Sequence, residues 1–184
     1  MRPLIYKYLG IVLLLGLFLP NLQAQQQQGL AVGLKLFPSM VYNGNLNYGY
    51  GGSGVYVNYR KKVAPKIAIV VGLETSVVGW GSQSLLEIGI NNSLWQKDRL
   101  GVSVEWLLLQ GLAWYQPKPL HVWGSEVGAK AYWKMTKRSD LVLSAGLRYT
   151  TNPNYRSYGA ISSYIDVPVK VGLVFHKKEQ QEIK

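Results

Sequence analysis

The chain has 184 residues, enough for one domain, and carries 20 Lys and Arg against 9 Asp and Glu, a formal charge of +11. It holds no cysteine, which removes disulfide frameworks, thiolate nucleophiles, Cys-based metal sites and lipid-anchored cysteines. Although 48% of the residues are hydrophobic and only 16% charged, no apolar run after the first twenty residues approaches the ~20 that a membrane helix requires. Any crossing of a membrane therefore falls to strands.

Arg2 and Lys7 precede an apolar run at residues 9–19, followed by Pro20 and a polar stretch ending in Leu22, Gln23 and Ala24. That is the order of a secretory signal, with an apolar core too short to span a bilayer as a helix. Cleavage is expected after Ala24, which divides the chain into a leader at 1–24 and one barrel domain at 25–184, opening on the glutamines Gln25 to Gln28.

From Gly29 onward the period is two, as in strands whose faces meet different surroundings. Eight such segments follow at about 29–37, 54–61, 66–76, 86–94, 100–108, 123–133, 141–149 and 164–175. Leu30, Val32, Leu34 and Leu36 alternate with Gly29, Ala31, Gly33 and Lys35 in the first, and Leu141, Leu143, Ala145, Leu147 and Tyr149 with Val142, Ser144, Gly146 and Arg148 in the seventh. Asn92 and Ser125 interrupt the apolar faces. The polar faces gather five acids, Glu74, Glu87, Glu105, Glu126 and Asp166, and five bases, Lys35, Arg60, Lys130, Arg148 and Lys170, with glycines such as Gly33, Gly72, Gly128 and Gly172 between them.

Alternation alone does not say which face points inward, since a soluble lipocalin-like barrel has the same period. Small residues beside long charged ones suit a narrow lumen, and balanced charge suits a closed interior in which each ion must find a partner. The connections differ on the two sides: short charged turns near 62–65, 96–99 and 135–140, and longer Gly-, Tyr-, Asn- and Trp-rich segments at 38–53, 77–84, 111–120 and 151–160. Short periplasmic turns and long outer loops mark a transmembrane barrel. The fold class expected is all-β, an eight-stranded antiparallel up-and-down transmembrane β-barrel with apolar residues outward and the ten charged groups in its lumen.

The net charge invites a nucleic-acid reading, so its location matters. Without the leader's Arg2 and Lys7, eighteen bases face nine acids. The lumen groups cancel, Lys118 and Arg156 fall in the outer loops, and the remaining excess lies on the turns and the tail, where a basic rim faces phospholipid headgroups or periplasm. No nucleic-acid partner is expected. His121 and His176 are the two histidines. His121 stands four residues before Ser125, ~13 Å along a strand, too far for proton transfer, and the His-x-Ser spacing of outer-membrane deacylases is missing; catalysis and cofactors are not expected.

The leader ending in Ala24 and Gln25, the eight-strand meander and the closing segment Tyr164, Ile165, Asp166, Val167, Pro168, Val169, Lys170, Val171, Gly172, Leu173, Val174, Phe175 together resemble the small outer-membrane β-barrel proteins of Bacteroidota-type bacteria, eight-stranded and porin-family-like. The resemblance implies residence in the outer membrane, lipid as surroundings, and recognition of the last strand by the barrel-assembly machinery through Lys170, Gly172 and Phe175. A charged tail at 176–184 departs from relatives that stop at the aromatic. The family carries no single activity. Two readings of function follow, a structural or recognition scaffold and a small pore. For the scaffold, Tyr42, Tyr48, Tyr50, Tyr155 and Tyr158 are the loop side chains suited to contacting a protein or glycan, since tyrosine gives contact area at modest entropic cost.

Overall fold

The computed structural model describes residues 28–42, 45–78, 81–114, 119–151 and 163–176, the side chains of 39–51 and 78 excepted. The leader expected at 1–24, the tail beyond His176, and Tyr155 and Tyr158 lie outside the described residues; of Tyr42, Tyr48 and Tyr50 only the backbone is described.

Every described element is a strand: β1 Gly29–Tyr42, β2 Asn45–Ala64, β3 Ile67–Val78, β4 Gly81–Lys97, β5 Leu100–Trp114, β6 Leu120–Lys134, β7 Ser139–Thr151, β8 Ser163–Asp166 and β9 Val169–His176. From β1 to β7 each strand pairs antiparallel with its sequence neighbours, as short hairpin connections dictate. β8 and β9 both lie between β7 and β1 and form one eighth stave, interrupted at Val167 and Pro168. Proline has no N–H to give to the ladder; its carbonyl still accepts the Gly146 amide at 3.1 Å, so the break stays within the wall. The pairing of β1 with β8 and β9 closes the barrel and removes the edges at which strands of other chains could add.

Alternation assigns the faces as the sequence suggests. Leu34, Val55, Leu73, Ile88, Leu108, Val127, Leu143, Leu147 and Ile165 stand exposed on the outside, while all ten charged residues of the opposite face are buried. The two interruptions of the apolar face are outward and partly buried, and Ser125 accepts the Trp106 indole N–H at 2.8 Å. A bulge between Ser93 and Trp95 shifts the register of β4 and turns Trp95 outward.

Apart from Trp106, which is paired with Ile90 and Val127 in mid-wall, the outward aromatic residues named here fall into two bands. Tyr59, Trp95, Trp133 and Phe175 stand near the turns, and Trp114, Trp123 and Tyr149 toward the opposite, loop-bearing end. On β6, Trp123 and Trp133 are ten residues apart, ~34 Å along an antiparallel strand and about 26 Å along the axis of a barrel with ~40° tilt, against the ~25 Å apolar band of outer-membrane barrels. Val127, Ala129 and Ala131 are the exposed residues between them.

Three expectations need correction. The strands are longer than about ten residues: β2 has 20 and β4 has 17. The segments at 38–53 and 77–84, read as loops, are largely hairpin, with Ser39 paired to Tyr48, Tyr42 to Asn45 and Val78 to Gly81. Their glycines and asparagines masked the period, whereas tyrosine and valine favour the pleated ladder. Finally, the inward face is not polar throughout. Val70, Leu85, Leu107, Leu109, Ala113 and Val122 pack together on the inner wall of β3–β6, and Ala31, Tyr56, Val142 and Val174 form a second inner cluster with Tyr132 against it.

Candidate functional site

The lumen is where the chain concentrates its chemistry, and the topology explains how it is filled. Four of the five acids come from β3, β4, β5 and β6, as Glu74, Glu87, Glu105 and Glu126; four of the five bases come from β1, β2, β7 and β9, as Lys35, Arg60, Arg148 and Lys170. Opposite charges thus arise on opposite walls, and many of their contacts run across the lumen.

Lys35 Nζ sits among three carboxylates, 2.5 Å from Glu74 Oε2, 2.8 Å from Glu126 Oε2 and 3.5 Å from Glu87 Oε1. Arg148 grips Glu74 with both terminal nitrogens, Nη1 donating to Oε1 at 2.9 Å and Nη2 to Oε2, and turns its other edge to Glu126 Oε2, with Nε at 3.1 Å and Nη2 at 2.9 Å. Such forked contacts fix geometry as well as charge. Lys170 Nζ completes the cluster at 2.6 Å from Glu126 Oε1 and 3.5 Å from Glu87 Oε1. Asp166 is held more loosely, its Oδ1 being 4.0 Å from Arg148 Nε.

The cluster continues through Ser76, which donates to Glu74 Oε1 at 3.0 Å, then Gln83, whose amide donates to Ser76 Oγ at 3.2 Å, then Tyr164, whose hydroxyl donates to Gln83 Oε1 at 3.0 Å. Aromatic rings seat the cations: Phe37 lies 5.7 Å from Lys35 Nζ and 5.1 Å from the Arg148 guanidinium carbon, and Tyr56 lies 5.7 Å from Lys170 Nζ. Tyr56 in turn rests on a pair of glycines. Gly33 and Gly172 face each other across β1 and β9; a Cβ on Gly33 would stand 2.9 Å from the ring, and one on Gly172 2.5 Å from its hydroxyl.

Nearer the turns, Lys130 pairs with Glu105. Asn91 donates to Ser103 Oγ at 3.0 Å, Ser103 donates to Tyr132 Oη at 3.2 Å, and Arg60 Nη1 donates to the same hydroxyl at 2.5 Å. The sequence-derived set of ten charges is therefore brought into one lumen, in two groups. Phe37, Tyr56 and Tyr132 were not singled out as site residues, although each lies within its expected strand on the face that carries the charged residues.

Glu74, Glu87 and Glu126 have the proximity of a three-carboxylate metal cluster, but Lys35 Nζ occupies the space between them, so they form an ion cluster internal to the protein. His121 is exposed toward the outside of β6. His176 Nε2 lies 2.7 Å from Asp140 Oδ2, and its Nδ1 meets no hydroxyl, so no nucleophile is engaged by it. Of the residues expected to address the assembly machinery, Lys170 faces the lumen, Gly172 lies under Tyr56 and Phe175 is exposed outside.

Closed staves, an apolar exterior banded by aromatics and a filled lumen define a class, the eight-stranded antiparallel barrel of the outer-membrane type. No protein family matches the chain, and no curated protein matches it in sequence. Among solved structures it is similar to Neisserial surface protein A, at 10% identity and TM-score 0.59 over 81% of this chain and 97% of that one. It is also similar to Ail, the attachment invasion locus protein of Yersinia pestis, at 10% identity and TM-score 0.53 over 82% of this chain and 98% of that one. Ail has also been solved in complex with the heparin analogue sucrose octasulfate, in a structure matched at 9% identity and TM-score 0.53 over 82% of this chain and 98% of that one. At these identities the likeness is one of fold.

Proposed function

We propose that the protein resides in a bacterial outer membrane as a closed, non-catalytic barrel, a structural or recognition scaffold that presents its loop-bearing end to a protein or glycan. The observation that carries this reading is the inversion of faces: apolar side chains are exposed around the barrel while five acids and five bases are buried inside it. In water this arrangement would expose its apolar surface and bury its ions for no gain; in lipid, both faces are satisfied. Export by the leader at 1–24 and recognition of Lys170, Gly172 and Phe175 by the barrel-assembly machinery belong to the same reading, as does the Bacteroidota-type resemblance.

The pore reading is weaker, because ion pairs, Phe37 and two apolar clusters occupy the lumen. Contact through Tyr42, Tyr48, Tyr50, Tyr155 and Tyr158 rests on their place in the sequence and on the scaffold logic that binding groups sit on segments held by a rigid frame. The experiment is fractionation of the native cell together with crosslinking. The protein is expected in the outer-membrane fraction, migrating differently on gels before and after heating, with crosslinks to a partner that vanish when residues 38–53 and 151–160 are shortened. Recovery in a soluble fraction without detergent overturns the location, and crosslinks that survive the shortening overturn the contact surface.

A further inference from the structure

The two neighbours of β2 do not run to the same height. Pairing with β1 continues to the tip of the hairpin, through Tyr48 with Ser39, Asn47 with Met40, Leu46 with Val41 and Asn45 with Tyr42. Pairing with β3 begins only at Gly52, opposite Val78, where β3 ends. Asn45–Tyr48 are in register with β1, and Gly49–Gly51 join them to Gly52 across a shift of register; all seven residues are strand. Among the described residues no strand lies along their other edge. At this height β1 is itself backed by β8, with Met40 on Asp166 and Tyr42 on Tyr164. The segment is therefore the outer strand of a three-stranded ladder.

In an antiparallel strand alternate residues turn their N–H and C=O to the same side. Residues 45–51 thus present a row of donors and acceptors along an open edge, over ~23 Å of strand at ~3.3 Å per residue. Open edges are not tolerated in hydrocarbon, so in a membrane this one belongs in water, at the loop-bearing end. Proteins commonly blunt such edges with lysine or proline; residues 45–51 contain neither, nor any other charged residue. The geometry of the edge also selects its partner. An extended polypeptide repeats donors and acceptors at the strand spacing, whereas a glycan offers hydroxyls without that repeat. We propose that the edge of β2 at Asn45–Gly51 is a docking site for an extended, unpaired segment of another protein, which adds beside β2 as a further strand through main-chain hydrogen bonds. The proposal rests on reading the loop-bearing end as a recognition surface, and it narrows the partner there to an extended polypeptide.

The test follows backbone amides by NMR and hydrogen exchange, with the protein in phosphatidylcholine nanodiscs and a capped probe peptide of sequence Lys-Thr-Val-Thr-Val-Thr-Lys. In the free protein, amides at alternate positions of 45–51 should exchange fast. Slow exchange at all seven would show the edge already covered, by the chain itself or by a second copy, and overturns the proposal. Added peptide should shift and slow those amides saturably while leaving Val70 and Val142 in the wall unmoved. A peptide N-methylated at its three central residues should bind roughly tenfold or more weakly. Because main-chain bonds carry the contact, Tyr48→Thr with Tyr50→Thr should keep the affinity within about fivefold. A larger loss in that variant, equal binding of the methylated peptide, or no saturable shift overturns the proposal. Heat-modifiable migration of the same samples checks the barrel independently, so an intact barrel that ignores the peptide counts against this site alone.

Discussion

The buried ions are cross-braces whose worth depends on being complete. Removing one partner strands the other in a low-dielectric interior, which costs ~3–5 kcal/mol, whereas replacing both with apolar groups of similar volume is often neutral. Lys130→Met should therefore lower stability by about 3–5 kcal/mol, and Lys130→Met with Glu105→Leu should recover most of the loss, as read by urea unfolding from lipid vesicles. An additive double variant would show that the pair of Lys130 and Glu105 is not coupled. The glycines beneath Tyr56 make a second residue-scale claim. A methyl group on Gly33 would meet the Val171 carbonyl oxygen at 2.3 Å, a backbone atom with little room to move. Gly33→Ala is expected to destabilise by ~1–3 kcal/mol in the same assay, and an unchanged midpoint would remove the close-packing account. The inward direction of Lys35, Arg60 and Glu126 was legible from alternation. Their partners were not, since Lys35 meets Glu126 across 91 residues of chain and only closure of the barrel sets that meeting.

At the scale of elements, period two located all eight staves but measured them short. Residues 45–52 read as a Gly- and Asn-rich loop, yet hairpin pairing continues through them because each ladder bond satisfies a backbone group. The run Trp106, Leu107, Leu108, Leu109 in β5 shows the opposite difficulty. It is apolar on both faces, and only the parity set by Ser103 and Glu105 earlier in the strand marks that Leu107 and Leu109 turn into the lumen while Trp106 and Leu108 turn outward. The outward face of β6 supplies a graded test. Ala129 stands between Trp123 and Trp133 near the middle of the apolar band, paired with Val104 and Ala145. Ala129→Arg should cost ~2–4 kcal/mol on folding into bilayers, whereas Trp133→Arg at the aromatic band should cost about 0–1 kcal/mol in charge burial, apart from the lost ring contacts. Equal costs at the two depths would contradict the assignment of the bands.

For the whole molecule, closure and filling act together: β1 seals against β8 and β9, and the space inside holds Phe37, Tyr56 and the buried ions. An eight-stranded barrel has an interior wide enough for side chains, so purified protein in planar bilayers should give no sustained unitary current, and large stable steps would favour a pore. The architecture was legible in the sequence because one repeated physical constraint, apolar outside and ionic inside, acts on every strand. The role of the loop-bearing end was not, since no such constraint acts on it. The inversion of faces is the central claim, and the absence of cysteine allows it to be measured with single spin labels. Labels at Leu108, Val127 and Leu143, on the exposed apolar face, should relax readily with oxygen and hardly with a water-soluble nickel chelate when the protein is in lipid vesicles, while a label at Lys137, in the turn after β6, should show the reverse. Nickel accessibility at Leu108, Val127 and Leu143 equal to that at Lys137 would contradict the account.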